Sequence, residues 1–176
     1  ALKANPRIKA ITVPHCETST GVVNDIQALG KIAREFDKRL LVDTVSSLGG
    51  IEFRFDDWGV DAACTGSQKG LMSPPGLGFV ALSDRAWKAV ETATLPHYYF
   101  DFREIRKAAL ADFPGTPGTT PVTLVAAASE AVSMILEEGL QNVWARYERI
   151  SSAVRAGFVA CGLNLFPDNV RRRSPT

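Results

Sequence analysis

The sequence predicts an α/β protein with a mostly parallel sheet, and three observations carry that expectation. Short apolar runs of strand length recur at Ile8–Val13, Leu40–Val42, Val60–Cys64 and Gly78–Leu82. Stripes of helical period lie between or after them, and glycine, proline and aspartate clusters punctuate the joints. Composition agrees: over 176 residues, 45% hydrophobic and 22% charged residues suit a folded globular chain.

The elements follow in order. Ile8–Val13 alternates and is rich in Ile and Val, so a strand is expected, with His15 just beyond Pro14. Glu17-Thr18-Ser19-Thr20-Gly21 is a polar loop, its glycine suited to an unusual backbone conformation. Asn24 or Asp25 caps a helix whose apolar residues Ile26, Leu29, Ile32, Ala33 and Phe36 recur at helical spacing. Leu40-Leu41-Val42 is continuously apolar, as a parallel strand buried on both faces should be. Val60–Cys64 and Gly78–Leu82 are the next strands, and Ser83 caps a short helix. Leu95–Asp112, aromatic and charged without a clear period, is an excursion from the sheet. The Pro/Gly-rich stretch Phe113–Pro121 excludes regular structure. Long helices are expected from Val122 to about Glu138 and from Leu140 to about Cys161, and Leu163–Phe166 reads as a further strand.

Charge and cysteine usage exclude several function classes. A formal net charge of +1 provides no field favouring nucleic acid or an anionic membrane. Arg171-Arg172-Arg173 reads as a solvated turn rather than a phosphate patch. The cysteines Cys16, Cys64 and Cys161 fit neither a disulfide framework nor a zinc site and are expected to be small, mostly buried thiols of a cytoplasmic protein. His15 beside Cys16 is not a nucleophile–base pair, because neighbours along a strand point to opposite faces. No run approaches membrane-span length, and no metal site is expected.

Two positions carry chemistry together. Asp43 ends an apolar strand, where open α/β sheets bind ligands, and a carboxylate there needs a partner. Lys69 stands in Thr65-Gly66-Ser67-Gln68-Lys69-Gly70, among residues too small to crowd it, where partial desolvation would make its amine nucleophilic. Each has an ordinary reading, Asp43 as a turn or N-cap residue and Lys69 as a solvated loop lysine, and alone each is best read so. One crossover apart, however, they sit on neighbouring strand ends and can face one flat ring, a carboxylate at a ring nitrogen and an amine at a carbonyl carbon.

Glu17–Val22, Leu41–Gly50 and Gly66–Gly70 with Pro74-Pro75-Gly76 resemble the class V pyridoxal-phosphate aminotransferases, and within them the serine–pyruvate, alanine–glyoxylate and serine–glyoxylate type. Thr116–Val122 and Glu138-Gly139-Leu140 with Trp144 fit the same family. The resemblance implies an aspartate aminotransferase-like, fold type I three-layer α/β sandwich, with pyridoxal 5′-phosphate as cofactor. It implies that Lys69 forms the Schiff base (aldimine) and shuttles a proton, that Asp43 binds the pyridine nitrogen, and that Val45 packs on the ring. Thr18 would bond the ring oxygen, Gln68 the phosphate, and Thr119 and Thr116 the phosphate of a neighbouring subunit, since the family builds its site across a homodimer interface.

On this resemblance, residues 1–138 are part of the large cofactor domain, and 139–176 are a connecting helix and the start of the small domain. The phosphate-cradling loop and the substrate-binding arginine lie outside the segment, which reads as the central part of a longer enzyme. The implied reaction is ping-pong transamination between a small amino acid, alanine or serine, and a 2-oxo acid, glyoxylate or pyruvate. Alternatives are a pyridoxamine–pyruvate, phosphonate or cysteine desulfurase-like class V enzyme, or a non-catalytic α/β interaction module. His97, Tyr98, Tyr99 and Arg103 are read as subunit-interface residues ahead of a substrate entrance.

Overall fold

The structure, a computed structural model, describes residues 1–167 and 169–176. Its centre is a sheet of β1 (Ala10–Pro14), β4 (Arg39–Asp43), β5 (Ala62–Gly66) and β6 (Gly78–Leu82), in the order β1-β4-β5-β6 among the described residues. β1 pairs parallel with β4, and β4 with β5; β6 returns antiparallel to β5. The sheet is therefore mostly parallel, as expected. A small hairpin, β2 (Cys16–Glu17) with β3 (Val22–Val23), folds the Glu17–Gly21 loop back on itself, and Gly21 closes it at φ 65°.

The helix α1 (Ile26–Glu35) covers one sheet face. Asp25 caps it, its carboxylate accepting the Ala28 N–H at 2.8 Å. Ile26 and Ala33 pack with Leu40, Val42, Val60 and Ala63, and Phe53, Phe55 and Trp58 close the cluster's margin. Gly30 is required here: a Cβ would lie 1.8 Å from the Trp58 carbonyl oxygen. Asp61 ties the frame together from a fully buried position. It accepts the Leu40 N–H at 3.0 Å and the Ser83 hydroxyl at 2.9 Å, and Arg85 approaches to 3.8 Å.

Beyond the sheet, α2 (Asp84–Glu91) starts at Ser83, α3 (Phe102–Ala109) at Asp101, and α4 (Val122–Glu138) and α5 (Leu140–Ala160) meet at Gly139, φ 83°. Among the described residues, no helix is long and apolar enough to cross a membrane.

Four expectations are corrected. Leu40–Val42 is not buried on both faces: Leu40 and Val42 are buried under α1, but Leu41 is half-buried, and Thr12, Cys64 and Val80 are exposed on the opposite face, which α2 borders. Leu163–Phe166 forms no strand; instead Arg173 makes an antiparallel bridge to Val22 after a 3-10 turn at Val170–Arg172. Cys16 alone of the three cysteines is buried. The 95–112 excursion contains α3, whose Asp101 cap is held well below the usual carboxylate range by hydrogen bonds from Arg103.

Candidate active site

The site is built at the carboxyl ends of β4 and β5. Asp43 ends β4, with Pro14 and Cys64 as its lateral neighbours. Its Oδ1 accepts the Val45 N–H at 2.8 Å, which starts the 44–50 turn and leaves Oδ2 open to a second donor. Thr44 donates both its N–H and its hydroxyl to the Cys64 carbonyl at 2.9 Å, stitching the turn to β5. The Cys64 thiol is pushed up by partial burial and then by the charge of Asp43, its register partner across β4 and β5.

Lys69 is delivered by a loop latched through Ser67, which is wholly buried. The Ser67 hydroxyl donates to the Pro74 carbonyl at 2.6 Å and accepts the Leu77 N–H at 3.3 Å. Its backbone N–H reaches the Leu77 carbonyl at 3.1 Å, and its carbonyl takes the Ser73 N–H at 3.0 Å. This loop lies backbone to backbone against the Asp43 turn. A Cβ on Gly49 would come within 2.6 Å of the Gly70 carbonyl oxygen, and one on Gly70 within 2.3 Å of the Leu48 carbonyl oxygen. Two glycines thus bring the Asp43 and Lys69 loops closer than any other residue pair allows.

Lys69 is exposed at the edge of a cavity of about 210 Å³ lined by Thr18, Ser46, Gly70, Tyr147 and Thr176, with Cys16 and Gly21 at its rim. The Thr18 and Ser46 hydroxyls are hydrogen-bonded to each other. Glu17, its acidity increased by hydrogen bonds from Ser19, fixes the Thr18 loop through Oε1. Thr176 lines the same cavity, held in place by its neighbours in the segment 173–176. Cys16 Sγ donates to Ser174 Oγ at 3.0 Å, and Thr176 Oγ1 donates to the Ser46 carbonyl at 2.8 Å. Since Thr176 spends its proton on Ser46, Ser174 donates to Thr176 across their 2.9 Å contact. Arg155 of α5 holds the Ser174 carbonyl at 2.9 Å.

The structure therefore gathers Thr18 and Lys69 around one cavity. Asp43 lines the neighbouring apolar concavity on the open sheet face, and Val45 is half-buried in the turn between. Gln68 is exposed and folds over Gly66, where a Cβ would meet its Oε1 at 2.8 Å. Thr116 and Thr119 line neither space; Thr116 donates to the Gly118 carbonyl at 2.7 Å within its own loop. Tyr98 and Tyr99 are strongly exposed, while His97 and Arg103 gather on Asp101. Sequence reasoning missed Ser46, Tyr147, Ser174 and Thr176. Tyr147 lies within the helix expected from Leu140 to about Cys161 but was not singled out there as a site residue, and the hydroxyls carried no signal of their own.

A lysine and a carboxylate on clamped neighbouring strand ends, with hydroxyls beside the amine, suit a planar cofactor carrying a carbonyl, a ring nitrogen and a ring oxygen. The fit rests on the donor set: an amine, an open carboxylate oxygen and a paired hydroxyl.

Comparison with known proteins defines the class. The pattern described as "Aminotransferase class-V" matches residues 2–174. The chain belongs to the class V aminotransferase family. It is 47% identical over 160 residues to the L-aspartate–glyoxylate aminotransferase of Paracoccus denitrificans, covering 90% of this chain and 40% of that protein. It is 45% identical over 163 residues to a protein named soluble hydrogenase 42 kDa subunit of Anabaena cylindrica, covering 92% of this chain and 42% of that protein. The crystal structure of alanine–glyoxylate aminotransferase from Nostoc sp. superimposes with a TM-score of 0.91 at 33% identity, over 99% of this chain and 46% of that one. The chain thus spans less than half the length of these relatives.

Proposed function

We propose that this chain is the central, lysine-bearing part of a pyridoxal 5′-phosphate-dependent aminotransferase. It would move an amino group from a small amino acid, alanine or serine, to a 2-oxo acid such as glyoxylate or pyruvate. The observation that carries the reading is the clamp of Gly49 on Gly70, which holds the Asp43 and Lys69 loops together at adjacent strand ends. Membership of the family supports it, as do the glyoxylate aminotransferases among the relatives.

When bound, pyridoxal 5′-phosphate supplies an electron-withdrawing ring that accepts the electrons left when a substrate Cα loses its proton. Every other task falls to the chain. Lys69 would hold the cofactor at its carbonyl group through the amine, and the same amine, when free, would carry the substrate Cα proton as general base. Asp43 would hold a proton at the ring nitrogen through Oδ2, its Oδ1 being kept by the Val45 N–H. Val45 would pack on a ring face. Thr18, oriented by Ser46, would donate to the ring oxygen. Gln68 would bind the phosphate, and Thr119 with Thr116 would serve the phosphate of a second subunit in a homodimer. The donor would leave as its 2-oxo acid before the acceptor enters, which would make the kinetics ping-pong. On the same reading, residues 1–138 belong to the cofactor domain, 139–176 open the small domain, and the enzyme works in the cytoplasm.

The test is to add pyridoxal 5′-phosphate to the parent chain and to Lys69→Ala, reduce with borohydride, and map the attached mass by peptide sequencing. Attachment confined to Lys69, with none in Lys69→Ala, is the expected result. Attachment scattered over surface lysines, or equal in both chains, would reject the assignment of Lys69.

A further inference from the structure

His15 has no part in the chemistry above, yet it is among the most enclosed polar side chains, at 3% exposure. Its imidazole sits between Phe53, with ring centroids 5.6 Å apart, and Trp58, edge-on at 6.0 Å. Its Nδ1 is 3.0 Å from the Ser47 hydroxyl. Ser47 is itself fully buried in the turn that follows Asp43. The backbone of His15 is engaged at the same place: its N–H donates to the Asp43 carbonyl at 2.7 Å, and its carbonyl accepts the Asn24 N–H at 2.9 Å. The residue therefore grips the Asp43 turn twice, at its first residue through the main chain and at its fifth through the ring.

From these contacts we infer that His15 is a positioning residue for the Asp43 turn, acting through Ser47 to hold Asp43, Val45 and Ser46 at the end of β4. The significance for catalysis rests on the aminotransferase reading above; the grip on the turn does not. The Ser47 hydroxyl has one proton and two neighbours, His15 Nδ1 at 3.0 Å and the Thr44 carbonyl at 3.4 Å. In either neutral tautomer the ring bonds Ser47, as donor or as acceptor; a charged ring would keep the Nδ1–H donation but leave its charge uncompensated in an apolar pocket, so burial rather than the Ser47 bond selects the neutral form.

Nothing near the ring compensates a charge. The turn itself has no ionisable side chain between Asp43 and Glu52. Asp43, Glu52, Arg54, Asp56 and Asp57 on the surrounding segments are all exposed, Arg54 is paired with Glu52 and Asp57, and Glu17 is half-buried two residues along. Burial lowers the imidazole pKa to about 4, which keeps it neutral at the pH of most cells.

The experiment measures hydrogen–deuterium exchange of peptides covering residues 43–51 in the full chain, with pyridoxal 5′-phosphate affinity as a separate readout. Variants are His15→Leu, which fills space without bonding Ser47; His15→Asn, whose amide can replace Nδ1 as donor or acceptor; and Ser47→Ala, which removes the partner and spares the ring. One lost hydrogen bond raises exchange of the turn by about tenfold, so His15→Leu and Ser47→Ala should show that change while β4 and α1 peptides stay at the parent level. His15→Asn should recover most of the protection. Corrected for intrinsic rates, turn exchange in the parent should rise as pH falls below 6, and in His15→Asn it should not.

Equal exchange in parent and His15→Leu would overturn the inference. So would failure of His15→Asn to rescue, or a rise spread evenly over α1 and β4, since either means that the ring only fills space. If the turn responds as expected but no chain binds pyridoxal 5′-phosphate, the positioning role stands, and the affinity measurement is repeated on a chain extended at both ends, where a second failure would reject the aminotransferase reading.

Discussion

Replacing Gly49 by alanine attacks the contact that joins the Asp43 and Lys69 loops. The new Cβ would lie 2.6 Å from the Gly70 carbonyl oxygen and 2.9 Å from its carbon. Both are backbone atoms and cannot rotate away, so one loop must retreat by several tenths of an ångström. Gly49 also sits at φ 91°, a conformation that costs an L-residue about 1–2 kcal/mol. Overpacking against backbone adds about 1–3 kcal/mol. The expected loss is therefore about 2–5 kcal/mol, a large share of a domain's usual net stability of about 5–15 kcal/mol. Gly70→Ala meets the Leu48 carbonyl oxygen at 2.3 Å but has no positive φ, so it should cost the overpacking share alone. Because both substitutions push the same loops apart, the double variant should lose less than the sum of the singles, by more than about 0.5 kcal/mol. Gly78→Ala is the control, since a Cβ there meets nothing within 4 Å. Equilibrium urea unfolding at one pH measures all four chains. A Gly49→Ala chain as stable as the Gly78→Ala control, or a strictly additive double variant, would refute the clamp.

Two further outcomes follow from buried polar groups. Asp61→Ala strands the Leu40 N–H and the Ser83 hydroxyl and should cost about 2–4 kcal/mol in the same unfolding assay, with Asp61→Asn losing less; a cost under about 1 kcal/mol would contradict the bonding described. His15 should make the fold acid-sensitive. Its pKa falls from 6.5 unfolded to about 4 folded, so the folded chain binds fewer protons between those values. The contribution is complete above pH 6.5 and is lost as pH drops toward 4, by about 3 kcal/mol. Parent and His15→Asn should therefore lose stability at different rates over that window, and parallel curves would show that His15 carries no such linkage.

Much of the frame was legible because its signals are local. Gly78–Leu82 and Val122–Glu138 run as the sequence pattern predicts, and Asp25 and Ser83 cap the helices they precede. Asp43 and Lys69 stood out because a carboxylate or an amine at the end of an apolar strand has no use in a core. What lay on either side of the sheet was not legible. The run Leu40–Val42 is apolar on both faces, yet only one face meets α1, and a strand's composition does not encode which element covers it. Leu163–Phe166 had strand composition but found no edge to pair with; the free edge of the β2–β3 hairpin went instead to Arg173 through its bridge to Val22.

The closing wall of the Lys69 cavity was invisible for a different reason. Cys16 and Ser174 are 158 residues apart and Thr176 and Ser46 are 130 apart, and each link uses a hydroxyl, a thiol or a carbonyl that any turn can offer. Such contacts have no period and no special residue type. Their direction is nevertheless fixed once they are assembled. The chain of protons runs from Cys16 through Ser174 and Thr176 to the Ser46 carbonyl, while the Ser46 hydroxyl is left for Thr18. The segment 173–176 thereby orders the partner of Thr18 from the main-chain side, and His15 orders the same turn from beneath. The turn carrying Asp43 has main-chain bonds of its own, from the Ser47 and Leu48 N–H groups to the Thr44 carbonyl and from the Gly50 and Ile51 N–H groups to the Ser47 carbonyl, and the two supports add long-range anchors at Ser46 and Ser47.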